Sequence, residues 1–146
     1  MTYNFDVDGT LVDFYGVDGW LEMLINEDTT PYEVAKPLIS FSLFARLVNK
    51  ALARGDTVNL ITCASKDATP EFFARIEKVK RAYFKKHMPS VEFSNIFVIP
   101  YNAPKYEYAK GILFDDEERH REAWRKHNGT YSFDETDILN ILKALL

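Results

Sequence analysis

Two aspartates, Asp6 and Asp8, stand two residues apart just after an apolar run at the start of the chain. Because residues two apart in an extended segment point to the same face, both carboxylates can enter one cleft. Two like charges about 4 Å apart repel each other by roughly 4 kcal/mol at an effective dielectric near 20, so a site that keeps both ionised needs a cation or a raised pKa. A hard divalent ion such as Mg²⁺ binds such oxygens and supplies that charge. The pair therefore makes phosphoryl transfer the leading hypothesis, against the alternative of a turn with solvated carboxylates.

The same turn continues with Gly9 and Thr10, in the hexapeptide Asp-Val-Asp-Gly-Thr-Leu. Glycine permits backbone geometry that other residues avoid, and the threonine adds a hydroxyl beside the amides of the turn. We therefore expect both residues to help bind a phosphate.

Strand-like and helix-like patterns alternate along the chain, and these elements must position the aspartates. Strands are predicted at residues 3–7, 57–63, 95–99 and 111–114 and near Thr130; helices are predicted at 20–25, from a capping box at Thr30, at 42–55, 69–83 and 118–126, and from Ser132 or Asp134 to the end. This alternation predicts one α/β domain, residues 1–146, built as a Rossmann-like three-layer sandwich around a mainly parallel sheet.

The length and composition narrow the class of protein. A chain of 146 residues suits one folded domain, and a net charge of −4 with a pI near 5.4 argues against a broad basic surface for nucleic acid or an acidic membrane. Cys63 is the single cysteine, which excludes an internal disulfide framework, and three scattered histidines offer no zinc cluster. Because the N-terminus has no leader-like segment, we expect a soluble protein of the reducing cytoplasm.

Other predicted strands end in residues that match the aspartate pair. Ligands of parallel sheets bind beyond the carboxyl ends of the strands. The strand at 57–63 ends in Thr62 and Cys63, which bring a hydroxyl and backbone amides for phosphate oxygens. The strand at 111–114 is followed by Asp115 and Asp116, and the loop before it carries Lys105. Acids for a metal, donors for phosphate and a cation therefore come from four separate segments.

These four segments resemble, in order, the four motifs of the haloacid dehalogenase-like (HAD) phosphohydrolase superfamily. The D-x-D-G-T-L motif is matched from Asp6, the strand ending in Thr or Ser at Thr62, the lysine at Lys105 and the acidic pair at Asp115 and Asp116. The resemblance covers nearly the whole chain. Within the superfamily, the continuation Val-Asp-Phe at 12–14 and the lysine-to-acid spacing are similar to 5′(3′)-deoxyribonucleotidases. The size resembles small phage-encoded members, for which the compartment would be the host cytoplasm.

The resemblance implies a Mg²⁺-dependent phosphomonoesterase with two catalytic aspartates. Asp6 is expected to attack phosphorus and form an aspartyl-phosphate, while Asp8 protonates the leaving oxygen and then helps activate water. Asp6, the backbone carbonyl of Asp8 and Asp115 are expected to hold the metal. Asp116 is expected either to act as a ligand through water or to support Lys105.

The implied phosphate site consists of Thr62, Cys63 and Lys105, whose ammonium neutralises charge on the phosphoryl group. Lys66, close to Thr62, stays open as the alternative motif lysine, whereas Lys110 directly precedes a strand and is expected at its wrong end. Nothing beside Cys63 suggests an activated thiolate, so no nucleophilic role is expected for it.

A short helical insert at about residues 17–39 is the only lid that the chain offers, and no large cap domain fits. Phe14, Tyr15, Trp20 and Tyr32 lie in or beside it and either stack on a base or pack the lid onto the domain. A small phosphorylated substrate, a nucleotide monophosphate, is the expected partner. A homodimer whose second subunit completes the lid stays open.

One predicted helix is basic. Its charged residues are Arg75, Lys78, Lys80, Arg81, Lys85 and Lys86. We expect them to form a solvated outer face rather than a track for a polynucleotide, so extended nucleic-acid binding is not expected. Three functions remain open: a phosphomonoesterase acting on nucleotides, a polynucleotide end phosphatase, and a non-catalytic binding protein on the same scaffold.

Overall fold

Five strands and six helices make up the computed structural model, which describes all 146 residues. The strands are β1 (Thr2–Phe5), β2 (Thr57–Cys63), β3 (Asn95–Ile99), β4 (Ile112–Phe114) and β5 (Ser132–Phe133). The helices are α1 (Trp20–Ile25), α2 (Thr30–Val34), α3 (Phe41–Ala53), α4 (Pro70–His87), α5 (Glu118–Asn128) and α6 (Ile138–Leu145), with short 3₁₀ turns at Lys105–Glu107 and Glu135–Asp137.

All five strands are parallel and lie in the order β3-β2-β1-β4-β5. β1 is therefore central, and its carboxyl end meets those of β2 and β4 at one edge of the sheet. The register aligns Asn4, Asn59 and Asn95 across three strands, with side-chain hydrogen bonds of 2.9 and 3.0 Å between neighbours. Because Asn4 and Asn59 are buried, a shifted register would leave their amides without partners.

Helices cover both faces of the sheet, as predicted for a three-layer sandwich. On one face, α3, α4 and α6 contribute Phe44, Phe84 and Leu142 to the largest apolar cluster, which also contains Phe5 of β1. On the other face, Trp124 of α5 packs against side chains of β2, β3 and β4. Strands covered on both faces are nearly continuous apolar runs, which is why β2 has only buried residues between its ends.

Residues 17–39, the segment predicted as a lid, hold the short helices α1 and α2. A separate apolar cluster, in which Phe14, Tyr32 and Phe72 are buried, packs this segment against α4. There is no large cap domain, and none of the helices is both long and apolar enough to cross a membrane.

Two predictions about helix starts differ from the structure. The capping box at Thr30 does not form, because Asp28 accepts both the amide and the hydroxyl of Thr30 and satisfies this end of α2. The last helix does not begin at Ser132, which lies in β5. Asp134 instead caps a 3₁₀ turn by accepting the amide of Thr136, and α6 follows that turn.

Candidate active site

The chain turns sharply where β1 ends, at Phe5 and not at Val7 as predicted. The amide of Asp6 still donates to the carbonyl of Phe114 at 2.9 Å, which ties the start of the loop to β4. The Val7 carbonyl accepts hydrogen bonds from the amides of residues 10, 11 and 12, so the loop folds back on itself. Gly9 has φ of +82°, a conformation that favours glycine. This turn brings both catalytic candidates, the aspartates of the first motif, to the wall of one cavity.

Lys105 lies between two carboxylates beside that cavity. Its Nζ is 2.7 Å from Asp6 Oδ1 and 2.6 Å from Asp115 Oδ2, and only 2 % of its side chain is exposed. Burial by itself would raise the pKa of Asp6, but the Lys105 ammonium and the hydrogen bonds to the carboxylate hold that pKa below its usual value. Burial would likewise lower the pKa of Lys105, yet the two carboxylates raise it. Asp6 is therefore an ionised carboxylate that is fixed in place at neutral pH.

Three acids form a cluster with metal-ligand spacing. Asp6, Asp115 and Asp116 each offer a carboxylate oxygen within 4.8 Å of the other two. Burial, together with the charge of Asp6, raises the pKa of Asp115 to about 7 and that of Asp116 to about 8. One ammonium, that of Lys105, does not balance three carboxylates, and closely spaced oxygen donors are the ligands that hard divalent cations prefer. The donor set therefore fits a hard divalent cation.

Gly9 and Thr10 lie against the carboxylates of this acid cluster, whereas the sequence predicted that they bind phosphate. Thr10 is fully buried, and its hydroxyl donates to Asp6 Oδ2 at 2.8 Å and accepts the amide of Asp116 at 3.1 Å. The amides of both residues donate to carbonyls of the same turn, so neither amide is free for a ligand. A Cβ at position 9 would overlap the Asp116 carboxylate. We therefore correct the prediction: both residues position carboxylates.

Asp8 forms an ion pair that the sequence did not predict. Its Oδ2 lies 2.7 Å from Nζ of Lys80, which also donates to Thr62 Oγ1 at 2.5 Å and to the Cys63 carbonyl at 3.0 Å. Burial raises the pKa of Asp8, and the Lys80 ammonium partly opposes that shift. Because only 3 % of the Lys80 side chain is exposed, its predicted place on a solvated face is wrong. The other five basic residues of α4 are exposed as predicted.

The cavity beside these residues has a volume of about 450 Å³, within the range of small-molecule sites. Tyr15 and Trp20 line it in edge-to-face contact, with ring centroids 5.1 Å apart. Phe14 and Tyr32 also line it, but both are buried and stacked on each other at 4.8 Å. Two of the four aromatic residues therefore pack the lid onto the domain, and two keep exposed surface for a ligand.

The end of β2 and the loop after it also contribute to the cavity wall. Cys63 and Lys66 line the cavity, whereas Thr62 is 1 % exposed and lies behind them. Burial raises the pKa of the Cys63 thiol, so the thiol is protonated at neutral pH. Lys66 is exposed and makes no ion pair, so the contacts favour Lys105 as the motif lysine. Asp116 forms no hydrogen bond or ion pair with Lys105, so of its two predicted roles the direct support of that lysine is not seen.

Three further cavity residues were missed, namely Tyr101, Arg119 and His120. The guanidinium of Arg119 lies 5.2 Å from the centre of the Tyr101 ring. Burial and the nearby Lys105 ammonium lower the pKa of His120 to about 4, so this imidazole is neutral at pH 7. Tyr101 lies two residues after the end of β3, and the rule that ligands bind at strand ends would have found it. The sequence holds no comparable signal for the other two.

The comparisons with known proteins add no relative. No family model matches the chain, and no curated protein matches it. The interpretation of the site therefore depends on its residues and their geometry.

Proposed function

We propose that this protein is a Mg²⁺-dependent phosphomonoesterase of the HAD type that works through an aspartyl-phosphate. One observation carries the proposal: an ionised Asp6, held by Lys105, lies in a cluster with two further acids at the carboxyl edge of a parallel sheet and lines a cavity. The resemblance of the four segments to the HAD motifs supports the same conclusion.

In the first step, a carboxylate oxygen of Asp6 attacks phosphorus while the bond to the leaving oxygen breaks. Lys105 and Thr10 hold this carboxylate by one hydrogen bond on each oxygen, which leaves a lone pair for the attack. Asp8 gives a proton to the leaving oxygen, and burial shifts the pKa of its carboxyl upward, in the direction that helps a proton donor.

In the second step, water attacks the phosphorus of the aspartyl-phosphate and Asp8 takes the proton from that water. The bond between phosphorus and the Asp6 oxygen breaks, which returns the carboxylate and releases inorganic phosphate. Lys105 stabilises the negative charge on the phosphoryl group in both steps. A Mg²⁺ ion bound to Asp6, Asp115 and the Asp8 carbonyl, with Asp116 beside it, would supply further positive charge to the phosphoryl oxygens.

The substrate that we propose is a nucleoside monophosphate. The cavity is large enough for one, and Tyr15 and Trp20 line the same cavity as Asp6 and Asp8 and offer ring surface for a base. A cytoplasmic location belongs to the same proposal, because the single cysteine has no partner for a disulfide.

Release of inorganic phosphate tests the activity directly. Purified protein is incubated with nucleoside monophosphates, sugar phosphates and 5′- or 3′-phosphorylated oligonucleotides, each with Mg²⁺ and with EDTA. We expect Mg²⁺-dependent release that Asp6→Asn abolishes while its circular dichroism spectrum stays that of the parent. No release from any substrate would refute the phosphatase and leave a binding protein as the better interpretation.

The same panel separates the two phosphatase hypotheses. A nucleotidase has the higher kcat/KM on mononucleotides, since a cavity of about 450 Å³ suits a ligand of the size of one nucleotide. A higher kcat/KM on oligonucleotide ends would instead assign the protein as a polynucleotide end phosphatase.

A further inference from the structure

The carboxylate of Asp8 has a single protein partner. Its Oδ2 accepts the hydrogen bond from Lys80, and no protein group donates to Oδ1. Every fully buried side-chain oxygen in the structure has a hydrogen-bond partner, so Oδ1 is accessible to solvent. Because Asp8 lines the cavity, this free oxygen is the one available to a ligand. The orientation of the proposed proton donor therefore depends on Lys80.

Lys80 is itself held at one position. An ammonium has three hydrogens, and Nζ finds three acceptors: Asp8 Oδ2, the Thr62 hydroxyl and the Cys63 carbonyl. Two of these acceptors belong to β2, a strand inside the sheet, so they do not move with the Asp8 loop. The Tyr32 ring covers another side of the ammonium, with the ring centre 4.8 Å from Nζ.

Stability alone does not explain a lysine at this place. Lys80 continues the buried row of Phe72 and Ile76 on α4, where an apolar side chain would pack without losing hydration. A buried ion pair equals such a side chain in stability only if its geometry is good and its hydrogen bonding is complete. Lys80 meets both conditions. All of its hydrogen bonds go to the loop and strand end that form the candidate site.

We propose that Lys80 is a positioning residue that fixes the Asp8 carboxylate to β2, so that its free oxygen stands ready to protonate the leaving group. This role rests on the proposed phosphatase function. Through Asp8, Lys80 affects proton transfer to the leaving oxygen and not the attack by Asp6 on phosphorus.

Leaving-group dependence tests this role, because a departing group that is a weak base needs no proton. Phenyl phosphate and 2,4-dinitrophenyl phosphate share a ring and differ in the basicity of the leaving oxygen. The measured quantity is kcat/KM, which reports the steps up to formation of the aspartyl-phosphate. Lys80→Met is compared with the parent protein and with Lys78→Met, a matched loss of one exposed lysine from the same helix.

We expect Lys80→Met to lower kcat/KM for phenyl phosphate by about 100-fold and for 2,4-dinitrophenyl phosphate by less than about fivefold. Lys78→Met leaves both values unchanged. In an Asp8→Asn background, Lys80→Met adds less than about threefold, because the group that it positions is already gone. If Lys80→Met does not fold by circular dichroism, Lys80→Gln removes the ammonium, keeps a polar side chain and is held to the same expectation.

Equal losses on the two substrates, or no loss in a folded variant, would overturn the role of Lys80 while the phosphatase proposal stands. An additive loss in the Asp8→Asn background would overturn it as well. An inactive parent protein refutes the phosphatase proposal first, and the role of Lys80 falls with it.

Discussion

Replacing Lys105 with methionine removes the one ammonium that contacts both Asp6 and Asp115. Methionine has a similar length and packs in the same space, so the main change is electrostatic. Two buried carboxylates, 9 % and 1 % exposed, then face each other without their cation. Breaking a buried pair by removing one partner typically costs about 3–5 kcal/mol in the free energy of unfolding. For a chain of this length, that loss lowers Tm by roughly 6–20 °C.

The pH dependence of this loss follows from the carboxyl groups. With Lys105 present, the pKa of Asp115 is already about 7, and removal of the ammonium raises it further. A group whose folded-state pKa exceeds its unfolded value supports stability below the unfolded pKa and loses that support as pH rises through the folded pKa. Lys105→Met therefore loses less free energy of unfolding at pH 5.5, where Asp115 is protonated, than at pH 8.5, where Asp115 must ionise. Added Mg²⁺ recovers part of the loss at the higher pH, because it places a cation among the same oxygens.

Thermal and urea unfolding of metal-free protein at both pH values measures these differences. Lys66→Met is the matched control, since Lys66 is exposed and unpaired, and its free energy of unfolding should stay within about 0.5 kcal/mol of the parent. We also expect Lys105→Met to lower kcat/KM for phosphate release by about 100- to 1,000-fold. A loss below about 1 kcal/mol, or one that is equal at both pH values, would refute the electrostatic reasoning. Loss of turnover in Lys66→Met alone would move the motif lysine to that residue.

Three further predictions concern the acid cluster and the lid. Asp115 and Asp116 have pKa values of about 7 and 8 without metal, so Mg²⁺ must displace protons when it binds. The Kd for Mg²⁺ should therefore fall about tenfold per pH unit for each proton displaced between pH 6 and 8. Calorimetry that finds the same Kd throughout this range would contradict this prediction. Gly9→Ala should cost about 1–3 kcal/mol through its positive φ and push Asp116 out of the cluster, which Tm measured with and without Mg²⁺ will show. Tyr15→Leu should raise KM for a nucleoside monophosphate about tenfold and leave KM for acetyl phosphate unchanged, and equal effects on both would remove the stacking role.

Most of the fold could be predicted because its signals are local. The bounds predicted for β2, β3 and α1 are those of the structure, since each element is a continuous or periodic apolar pattern between clear ends. The capping box at Thr30 failed for a local reason too, because the preceding Asp28 competes for the same donors. Where two short polar side chains both fit a motif, sequence alone does not say which of them accepts.

Only part of the candidate site could be predicted from the sequence. Residues at strand ends, such as Asp6 and Asp115, could be named because the parallel topology brings all carboxyl ends to one edge. Lys80 could not be named from charge, since a basic helix is usually solvated, yet it follows Phe72 and Ile76 at four-residue intervals on the buried row of α4. A charged residue at a position that periodicity assigns to the core is the signal that was overlooked.

Lys80 also changes the charge balance of the whole site. From the motifs alone, four carboxylates (Asp6, Asp8, Asp115 and Asp116) face one ammonium, which leaves three negative charges. With Lys80 paired to Asp8, two ammonium groups face four carboxylates, and the remaining two charges equal the charge of one divalent cation. The raised pKa values of Asp115 and Asp116 are consistent with this balance, because protons neutralise in metal-free protein the two groups that a cation would otherwise neutralise. Under the proposed function, a buried lysine from α4 would therefore allow one divalent ion to balance a site with four acids.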